Sequence, residues 1–405
     1  MGLSSLFSKA VLLVFMVEFM SQVCSQGGLF DVRASGAVGD GKTDNTNAFL
    51  ATWTKACQSG GTMQIVDGTY LLKTIQFEGP CKGQVSFTVN AVIQAPQGKS
   101  TEHYWINFKN INGLTIQGSG TFDGQGPSAW NFSTCSNVPS CSSRLSPSVV
   151  LTKVNNSLVQ NVKLLNSKGF QMKIEDGDHV TVNNITITAP ADSPNTDGIH
   201  TGNINFVNIQ DSNIGTGDDC ISMGPGTTNI NITRVNCGPG HGISIGSIGK
   251  LATDQNVFGV KVLNCTIRLT QNGVRIKTWN STFPLSVADV TFQDIIMDRA
   301  HNPIIIDQHY CGGRRDCSGN SHVQVKDIKF IGISGTSASK IAVNLNCSSS
   351  NPCSDIELNN INLSFQDGTR AVSACSNAPR ILYVGPQNPH ACPQRLDPSM
   401  MLAYM

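Results

Sequence analysis

The residues of this chain that could do chemistry fall in four short polar clusters that follow one another at about one repeat length. The clusters are Asn195-Thr196-Asp197, Gly217-Asp218-Asp219-Cys220, Gly240-His241-Gly242 and Arg275-Ile276-Lys277. From position 197 to 218 is 21 residues, from 218 to 241 is 23, and from 241 to 275 is 34; Tyr310 follows 35 residues later. If each interval is one turn of a solenoid, all of these positions stack on one face. That face would combine three carboxylates, an imidazole, two cations and a phenol.

Three carboxylates at this spacing suit the hydrolysis of a glycosidic bond. One carboxyl must give a proton to the leaving oxygen, and another must activate water or attack the sugar. Asp218-Asp219 alone is more often structural or part of a calcium site, but Asp197 one repeat earlier favours a catalytic group. Three crowded carboxylates cannot all ionise easily, so at least one pKa should be raised. The adjacent pair should titrate jointly.

Arg275 and Lys277 alternate on one strand, which puts both cations on the same face and Ile276 in the core. We interpret them as ligands for the carboxylate of a uronic acid, which Arg can bind bidentately. A structural salt-bridge cluster with the three acids is the alternative. His241 lies between two glycines, so that a ligand could approach the backbone closely. A purely structural histidine is the alternative there.

The elements that must position these residues are short, alternating, β-branched runs that end in Asn, Asp or Gly. They lie at 114–118, 158–162, 180–185, 230–233, 260–264, 290–295, 323–328 and 356–361. Period-two alternation predicts strands, and the closing polar residue predicts a turn. Intervals of roughly 22 to 35 residues are typical of solenoids. Together with few aromatic residues and almost no helix-period segments, this favours an all-β parallel β-helix. A pair of β-sandwiches is the alternative, but it needs turns about every 8–12 residues.

One helix is predicted near the start of the chain. Residues 43–46 supply N-cap residue types, and Ala48, Phe49, Trp53 and Ala56 form an apolar stripe. Such a helix would cover the open end of the solenoid, where strand edges are otherwise unpaired.

The N-terminus predicts a secretory signal over residues 1–25, followed by a single domain over 26–405. Lys9 precedes an apolar run over 10–17, and small residues around Ser25 suit cleavage. A membrane anchor is the alternative, but the run is short and Glu18 interrupts it. A net charge of +1 gives no support for a nucleic-acid partner, and any preference for an anion must come from local residues. We expect a secreted, extracellular monomer with no membrane partner.

The 14 cysteines agree with an oxidising compartment. Their spacing predicts five local disulfides, namely Cys135–Cys141, Cys220–Cys237, Cys311–Cys317, Cys347–Cys353 and Cys375–Cys392. Cys265 is predicted to be a free, buried thiol. A zinc site is disfavoured because no pair of Cys-x-x-Cys motifs is present. Eight glycosylation sequons occur, several of them in strand-like runs where we do not expect every one to be accessible; they begin at Asn131, Asn155, Asn184, Asn231, Asn264, Asn280, Asn346 and Asn362.

The four clusters, in this order, closely resemble the signature motifs of the polygalacturonase family of glycoside hydrolases. The resemblance includes Ile243–Ser247 after the histidine cluster, and the early segments Phe30-Asp31-Val32 and Gly39–Asp44. It covers nearly the whole chain after the signal. It implies a right-handed parallel β-helix that hydrolyses α-1,4-linked galacturonan with inversion, without a cofactor or a catalytic metal.

Residue roles follow from the same resemblance. It implies that Asp218 is the general acid and that Asp197 and Asp219 hold the attacking water. His241 would support the acid and the substrate. The substrate contacts would be Asn195, Gly242, Arg275, Lys277 and Tyr310. Inverting enzymes usually space their carboxyls widely enough to admit water, and a cluster this compact is at odds with that rule.

The segment 46–61 and the Cys-rich tail up to Pro393 resemble the plant exo-acting, pollen-type branch of this family. Exo action would release single galacturonate units. Three alternatives stay open: endo action, a calcium-dependent pectate lyase, and a non-catalytic pectin-binding or inhibitor-like solenoid.

Overall fold

Parallel strands stacked into a long β-helix make up most of the protein. The structure, a computed structural model, describes residues 27–100, 102–132, 145–312 and 319–392. Its 32 strands pair in parallel into three sheets, and each turn of the helix contributes one strand segment to each sheet. The parallel β-helix predicted from the sequence is confirmed. The predicted signal, the Cys135–Cys141 pair, Cys317 and the chain beyond Cys392 lie outside the described residues.

Sheet 1 carries the strands next to the candidate site. They are Ile75–Glu78, Ile106–Asn112, Val149–Gln160, Met172–Glu175, Ile199–Gly202, Ile221–Met223, Ile243–Ile248, Asn272–Trp279, Asn302–Tyr310, Ile341–Asn346 and Val372–Ser376. Sheet 2 follows in each turn with Leu29–Asp31, Thr62–Leu71, Val85–Gln94, Leu114–Gln117, Asp178–Asn183, Ile204–Gln210, Thr227–Thr233, Val257–Leu263, Ser286–Gln293, Gln324–Ile331, Ser354–Phe365 and Ile381–Asn388. Sheet 3 consists of Asp40–Asp44, Thr121–Asp123, Lys163–Leu165, Thr186–Thr188, Asn213–Gly215, Asn236–Cys237, Thr266–Arg268, Ile296–Ala300 and Ser334–Ser337. The strands 62–71, 85–94, 149–160 and 354–365 bend from one sheet into the next.

The core is a set of apolar stacks that run along the helix axis. In sheet 1, one such stack consists of side chains in register on five successive strands, all fully buried: Ile199, Ile221, Ile243, Val274 and Ile304. Each buried side chain of this size contributes about 1.5–3 kcal/mol. Because alternate residues point inward, the residues between them point out of sheet 1, where the candidate site lies.

Asn and Asp occupy the tight turns between strands, as the sequence predicts. Asn161 and Asn184 both have positive φ, at 61° and 49°, which Asn adopts more readily than most residues. Their side chains stack, with Asn184 Nδ2 donating to Asn161 Oδ1 at 2.8 Å. One coil further, Arg234 binds Asp211 in the same way at 2.6 Å. Five of the eight sequon asparagines are exposed, and three, Asn155, Asn280 and Asn346, are half-buried.

The predicted helix spans Thr46–Ser59 and closes the N-terminal end of the core. Phe49, Trp53 and Ala56 of its predicted stripe are buried, and Ala48 packs at the edge. Asn45 occupies the N-cap position without a side-chain cap bond, and Asp44 accepts from Thr46 N instead at 3.1 Å. Three short 3-10 helices are also present, at Val32–Ser35, Gly126–Ser128 and Trp130–Phe132. Within the described residues, no helix has the length and apolar character needed to cross a membrane.

The disulfides of the described residues match the short-range prediction and add one long-range bond. Cys220–Cys237, Cys347–Cys353 and Cys375–Cys392 are paired, and Cys311 is also disulfide-bonded. Cys265 is free and buried, as predicted. Cys57–Cys81 was not predicted; it ties the helix to the first coils of the solenoid.

Candidate active site

The turn that leads from sheet 3 back to sheet 1 carries the acidic clusters on successive coils. Asp197 lies in the turn before the strand Ile199–Gly202, Asp219 before Ile221–Met223, and His241 before Ile243–Ile248. Arg275 and Lys277 lie on the next strand of sheet 1, with Ile276 fully buried between them. The predicted stacking of these clusters is therefore confirmed.

Asp219 is the most enclosed of the three carboxylates, with 1% of its side chain exposed. Its Oδ1 accepts from Ser244 Oγ at 2.7 Å and from Arg275 Nη2 at 2.8 Å. Its Oδ2 accepts from Lys277 Nζ at 2.7 Å. Arg275 Nε also donates to Ser244 Oγ at 3.0 Å, which closes the cluster. Asp219 is thus held as the counter-charge of two buried cations.

Asp197 is also buried, but its surroundings are different. Its Oδ2 accepts from Ser222 Oγ at 2.6 Å, and its Oδ1 accepts from Asn195 Nδ2 at 3.2 Å. Burial raises the pKa of Asp197 well above its ordinary value, and the charges of Asp218 and Asp219 raise it further. One member of the crowded carboxyl group therefore has a raised pKa, as predicted from the sequence.

Asp218 is the most exposed of the three carboxylates, with 22% of its side chain exposed. Its Oδ1 contacts His241 Nδ1 at 2.9 Å and accepts from Asp219 N at 2.8 Å, and Asn195 Nδ2 approaches Oδ2 at 3.4 Å. Burial alone would raise the pKa of Asp218. The hydrogen bond and charge of His241, together with Lys277, outweigh burial and lower this pKa instead.

The pKa directions do not match the simplest form of the predicted roles, in which the general acid is the carboxyl with the raised pKa. That carboxyl is Asp197, whereas the assigned acid, Asp218, has a lowered pKa. Burial would raise the pKa of Asp218, and the hydrogen bond from His241 is the largest of the causes that lower it instead.

The cations keep capacity for a ligand beyond Asp219. Burial would lower the pKa of Arg275, but the Asp219 charge more than offsets it, and the pKa is raised. The Lys277 ammonium lies 5.4 Å from the centre of the Tyr310 ring, and Tyr310 in turn packs edge-on against Trp279. Each cation has N–H groups left over after its bonds to Asp219. The salt-bridge cluster and the ligand-binding interpretation of the sequence are therefore compatible.

The glycines around His241 allow neighbouring coils to pack closely. A Cβ on Gly240 would lie 2.6 Å from Asp218 O, and one on Gly242 would lie 2.1 Å from Asn272 O. Both also have positive φ, at 145° and 88°. Only glycine lets neighbouring coils approach this closely while His241 stays beside Asp218.

Sequence reasoning missed the hydroxyl groups that hold the acids. Ser222 and Ser244 are in register with each other and with His200 and Arg275 on sheet 1, all facing outward. His200 Nδ1 contacts Ser222 Oγ at 2.7 Å, which extends the network to the preceding coil. The signal was present: Ser222 and Ser244 each lie directly after the inward-facing isoleucine that opens their strand.

Asp218, Asp219 and His241 are also close enough to hold a metal ion, since one ligand atom from each lies within 4.8 Å of the others. The donors do not suit one, however. Both oxygens of Asp219 already accept from Arg275 and Lys277, and a cation there would face two positive charges at hydrogen-bond distance from the same carboxylate.

Comparison with known proteins adds a family to this geometry. Residues 57–392 match the model of glycosyl hydrolases family 28. The chain belongs to this family. An exopolygalacturonase of Arabidopsis thaliana is 44% identical to this family 28 chain over 92% of its length and 85% of the relative. An exopolygalacturonase of Platanus acerifolia is 41% identical, covering 88% and 95%, and a polygalacturonase of Gossypium barbadense is 41% identical, covering 94% of each.

Solved structures agree on the fold of this family 28 chain. The endo-xylogalacturonan hydrolase of Aspergillus tubingensis superposes with a TM-score of 0.79 at 24% identity, covering 91% of this chain and 99% of that one. A family 28 exopolygalacturonase of Yersinia enterocolitica superposes with a TM-score of 0.73 at 19% identity, covering 91% and 78%. The family resemblance noted from the sequence motifs is confirmed.

Proposed function

We propose that this family 28 chain is a secreted hydrolase that cleaves α-1,4-galacturonosyl linkages of galacturonan and releases galacturonate from chain ends. The observation that carries the proposal is the compact group of three carboxyls flanked by two buried cations. The carboxyls supply acid–base chemistry, and Arg275 and Lys277 supply charge complementary to a uronate. The exo mode is supported by the relatives named exopolygalacturonase.

The proton for the leaving oxygen comes from the Asp218–His241 pair. Asp218 is the carboxyl that a sugar can reach, because Asp197 and Asp219 are almost fully buried. Asp218 Oδ1 lies 2.9 Å from His241 Nδ1, so the imidazole can pass a proton to this carboxylate. Moving that proton across the bond turns Asp218 into a neutral acid beside the glycosidic oxygen. His241 then acts as the store of the proton that Asp218 delivers.

The attacking water is held by Asp197 and Asp219. A raised pKa makes the ionised Asp197 a stronger base, so it can take a proton from water more readily than an ordinary carboxylate. Asp219 is fixed by its two cations and stays charged as an acceptor. Atoms of Asp218 and Asp219 lie within 4.8 Å, closer than the roughly 6.5–9.5 Å usual for inversion. We retain inversion as the proposal, because it is what the family resemblance implies.

The other candidate functions fit the site less well. A lyase of the expected kind needs an arginine base and bound calcium, but Asp219 raises the pKa of Arg275 and occupies both cations. A non-catalytic solenoid has no need for a carboxyl with a raised pKa beside two others. Endo action differs only in how the ends of the cleft are closed.

One experiment separates these functions. The purified protein is incubated with galacturonan, and reducing ends, viscosity, ultraviolet absorbance and product size are followed together. We expect reducing ends to accumulate with a slow fall in viscosity, galacturonate as the first product, and no absorbance from a new double bond. Early oligomers with a rapid fall in viscosity would indicate endo action. Absorbance would indicate a lyase, and no product at all would leave a binding protein. NMR of the first product, before its anomers equilibrate, decides between inversion and retention.

A further inference from the structure

A second cavity lies in the turns from sheet 3 to sheet 1, on the coils that precede Asp197. Its volume is about 350 Å³. Its lining includes Lys73, Lys99, Glu102, Trp105, Ser146 and Lys168. The family motifs contain none of these residues, and nothing in the proposed chemistry uses them.

Lys168 is the unusual member of this lining. Only 6% of the residue is exposed, and its Nζ donates to one group, the carbonyl oxygen of Pro96, at 2.7 Å. No Asp or Glu of the described chain lies within ion-pair distance of it. Burial lowers the pKa of Lys168. Lysines this deeply buried are almost always paired, so an ammonium with two unused N–H groups in a cavity lacks its counter-ion.

The other charges around the cavity also favour an anion. Lys73 is exposed and binds Asp44 at 3.1 Å, and Lys99 adds a further cation. Glu102 is the one acid among the lining residues. Three ammonium groups against two carboxylates, Glu102 and the Asp44 bound to Lys73, leave one positive charge in excess around the cavity. A carboxylate entering it would meet Lys168 away from bulk water, where a charge-assisted hydrogen bond is strong.

The turn that carries Lys168 is hydrogen-bonded to the turn that carries Asp197, on the same side of the helix. The turn that contains Lys168 runs from Asn166 to Gln171. Asn166 N donates to Thr188 O at 2.9 Å, and Gln171 N donates to Asp197 O at 2.8 Å. The two turns are therefore neighbours at about 4.8 Å, the spacing of adjacent parallel strands. Lys168 lies on the N-terminal side of the acids, whereas Arg275 and Lys277 lie on the C-terminal side.

We propose that this cavity, through Lys168, binds the carboxylate of a galacturonan unit on the side of the cleaved bond away from Arg275 and Lys277. The inference rests on the proposed function and adds a residue that fixes the length of substrate bound. A chain lying across Asp218 would place one uronate against the Arg275 and Lys277 pair and a later one against Lys168. Oligomers that reach only the Arg275 and Lys277 pair should gain no affinity from Lys168.

The test measures binding rather than turnover, in an Asp218→Asn background that consumes the ligand about 10²- to 10⁴-fold more slowly. Isothermal calorimetry is run with oligogalacturonates of two to six units on this protein, with and without Lys168→Met. Lys163→Met is the matched control, an exposed lysine on the same coil. We expect Lys168→Met to weaken the longer oligomers about 10- to 100-fold, the size of one charge-assisted contact, and to leave the dimer unchanged. Lys168→Arg should restore part of the loss, and Lys163→Met should have no effect.

A second arm keeps Lys168 intact and changes the ligand. Fully methyl-esterified oligomers of the same lengths should lose the gain in affinity that longer free acids show. Inorganic phosphate, which has no chain length, should not reproduce the gain in affinity of the longer oligomers. It should also not displace the dimer. This arm decides the question if Lys168→Met does not fold.

Affinity that is independent of length, or equal losses for the dimer and the hexamer, would overturn this inference and leave the proposed function standing. A lower melting temperature for Lys168→Met with unchanged affinities would mean that Lys168 only anchors Pro96. If the Asp218→Asn protein binds no oligogalacturonate of any length, the proposed function fails and this inference falls with it.

Discussion

Neutralising Asp219 should destabilise the whole solenoid as well as stop the reaction. Asp219 is the carboxylate that compensates both Arg275 and Lys277, at 2.8 and 2.7 Å. All three groups are nine-tenths or more buried. An Asp219→Asn side chain has the same shape but no charge. It leaves two like charges side by side in a buried region.

The magnitude follows from the cost of an uncompensated buried charge. Removing one partner of a buried ion pair costs about 3–5 kcal/mol. At about 2.1 cal/mol/K of unfolding entropy per residue, a chain of 405 residues loses about 1 °C of Tm for each 0.85 kcal/mol. The expected fall in Tm is therefore about 4–6 °C. The lost charge also removes a ligand of the proposed attacking water, so turnover should fall together with stability.

Differential scanning calorimetry at one fixed scan rate measures this change, with Asp211→Asn as the matched control. Asp211 lies on a nearby turn and binds Arg234 at 2.6 Å, but both side chains are about half exposed. An exposed pair is worth about 0–1 kcal/mol, so this control should lose about 1 °C or less. Equal Tm values for Asp219→Asn and the wild type would refute the view that the charge cluster is structural. A double variant with Lys277→Met should recover part of the loss, because one of the two stranded cations is then gone.

Three further outcomes are expected. Asp218→Asn should lower turnover on galacturonan by about 10²- to 10⁴-fold with Tm almost unchanged, since this residue delivers the proton; a near-wild-type initial rate would remove the assignment. Asp197→Asn should change how stability depends on pH. Because the folded-state pKa of Asp197 is raised, the wild type loses stability as pH rises above the unfolded value of about 3.9, and the variant escapes this loss. The Tm difference, variant minus wild type, should therefore grow from pH 4 upward, and a difference that stays flat with pH would contradict the raised pKa. Excess chelator should leave the rate unchanged, because Asp219 is already occupied by Arg275 and Lys277; a loss that added calcium restores would show that a metal takes part.

Much of this fold could be predicted because local pattern and global structure agree. Period-two alternation places Ile276 inside and its neighbours outside, and no other element changes that outcome. Cysteines 6 or 17 residues apart pair within one coil or between neighbouring coils. The Cys57–Cys81 bond could not be read in the same way. It joins a helix to the solenoid, and its position depends on how that helix packs.

The residues of the site were predictable, but their electrostatics were not. The sequence contains three acids in a repeat, and the repeat is enough to bring them together. Which carboxyl has the raised pKa depends on its neighbours: burial would raise the pKa of both, but Asp218 is hydrogen-bonded to His241 at 2.9 Å, whereas Asp197 accepts from Ser222 and Asn195. The binding of Asp219 to both cations likewise depends on distances of 2.7–2.8 Å that no spacing rule supplies.

The hydrogen-bonded stacking of the coils sets a fixed spacing between the groups along the cleft. Five consecutive strands of sheet 1 form this row. Three of them follow Asp197, Asp219 and His241, and the other two carry Lys277 and Tyr310. Their separation is set by backbone bonds at about 4.8 Å, so the row extends about 19 Å along the axis. Groups in such a cleft can be moved along it only in whole steps of this size. A relative that reads a polymer with another repeat must therefore change side-chain length or the turns, because the backbone itself offers no intermediate positions.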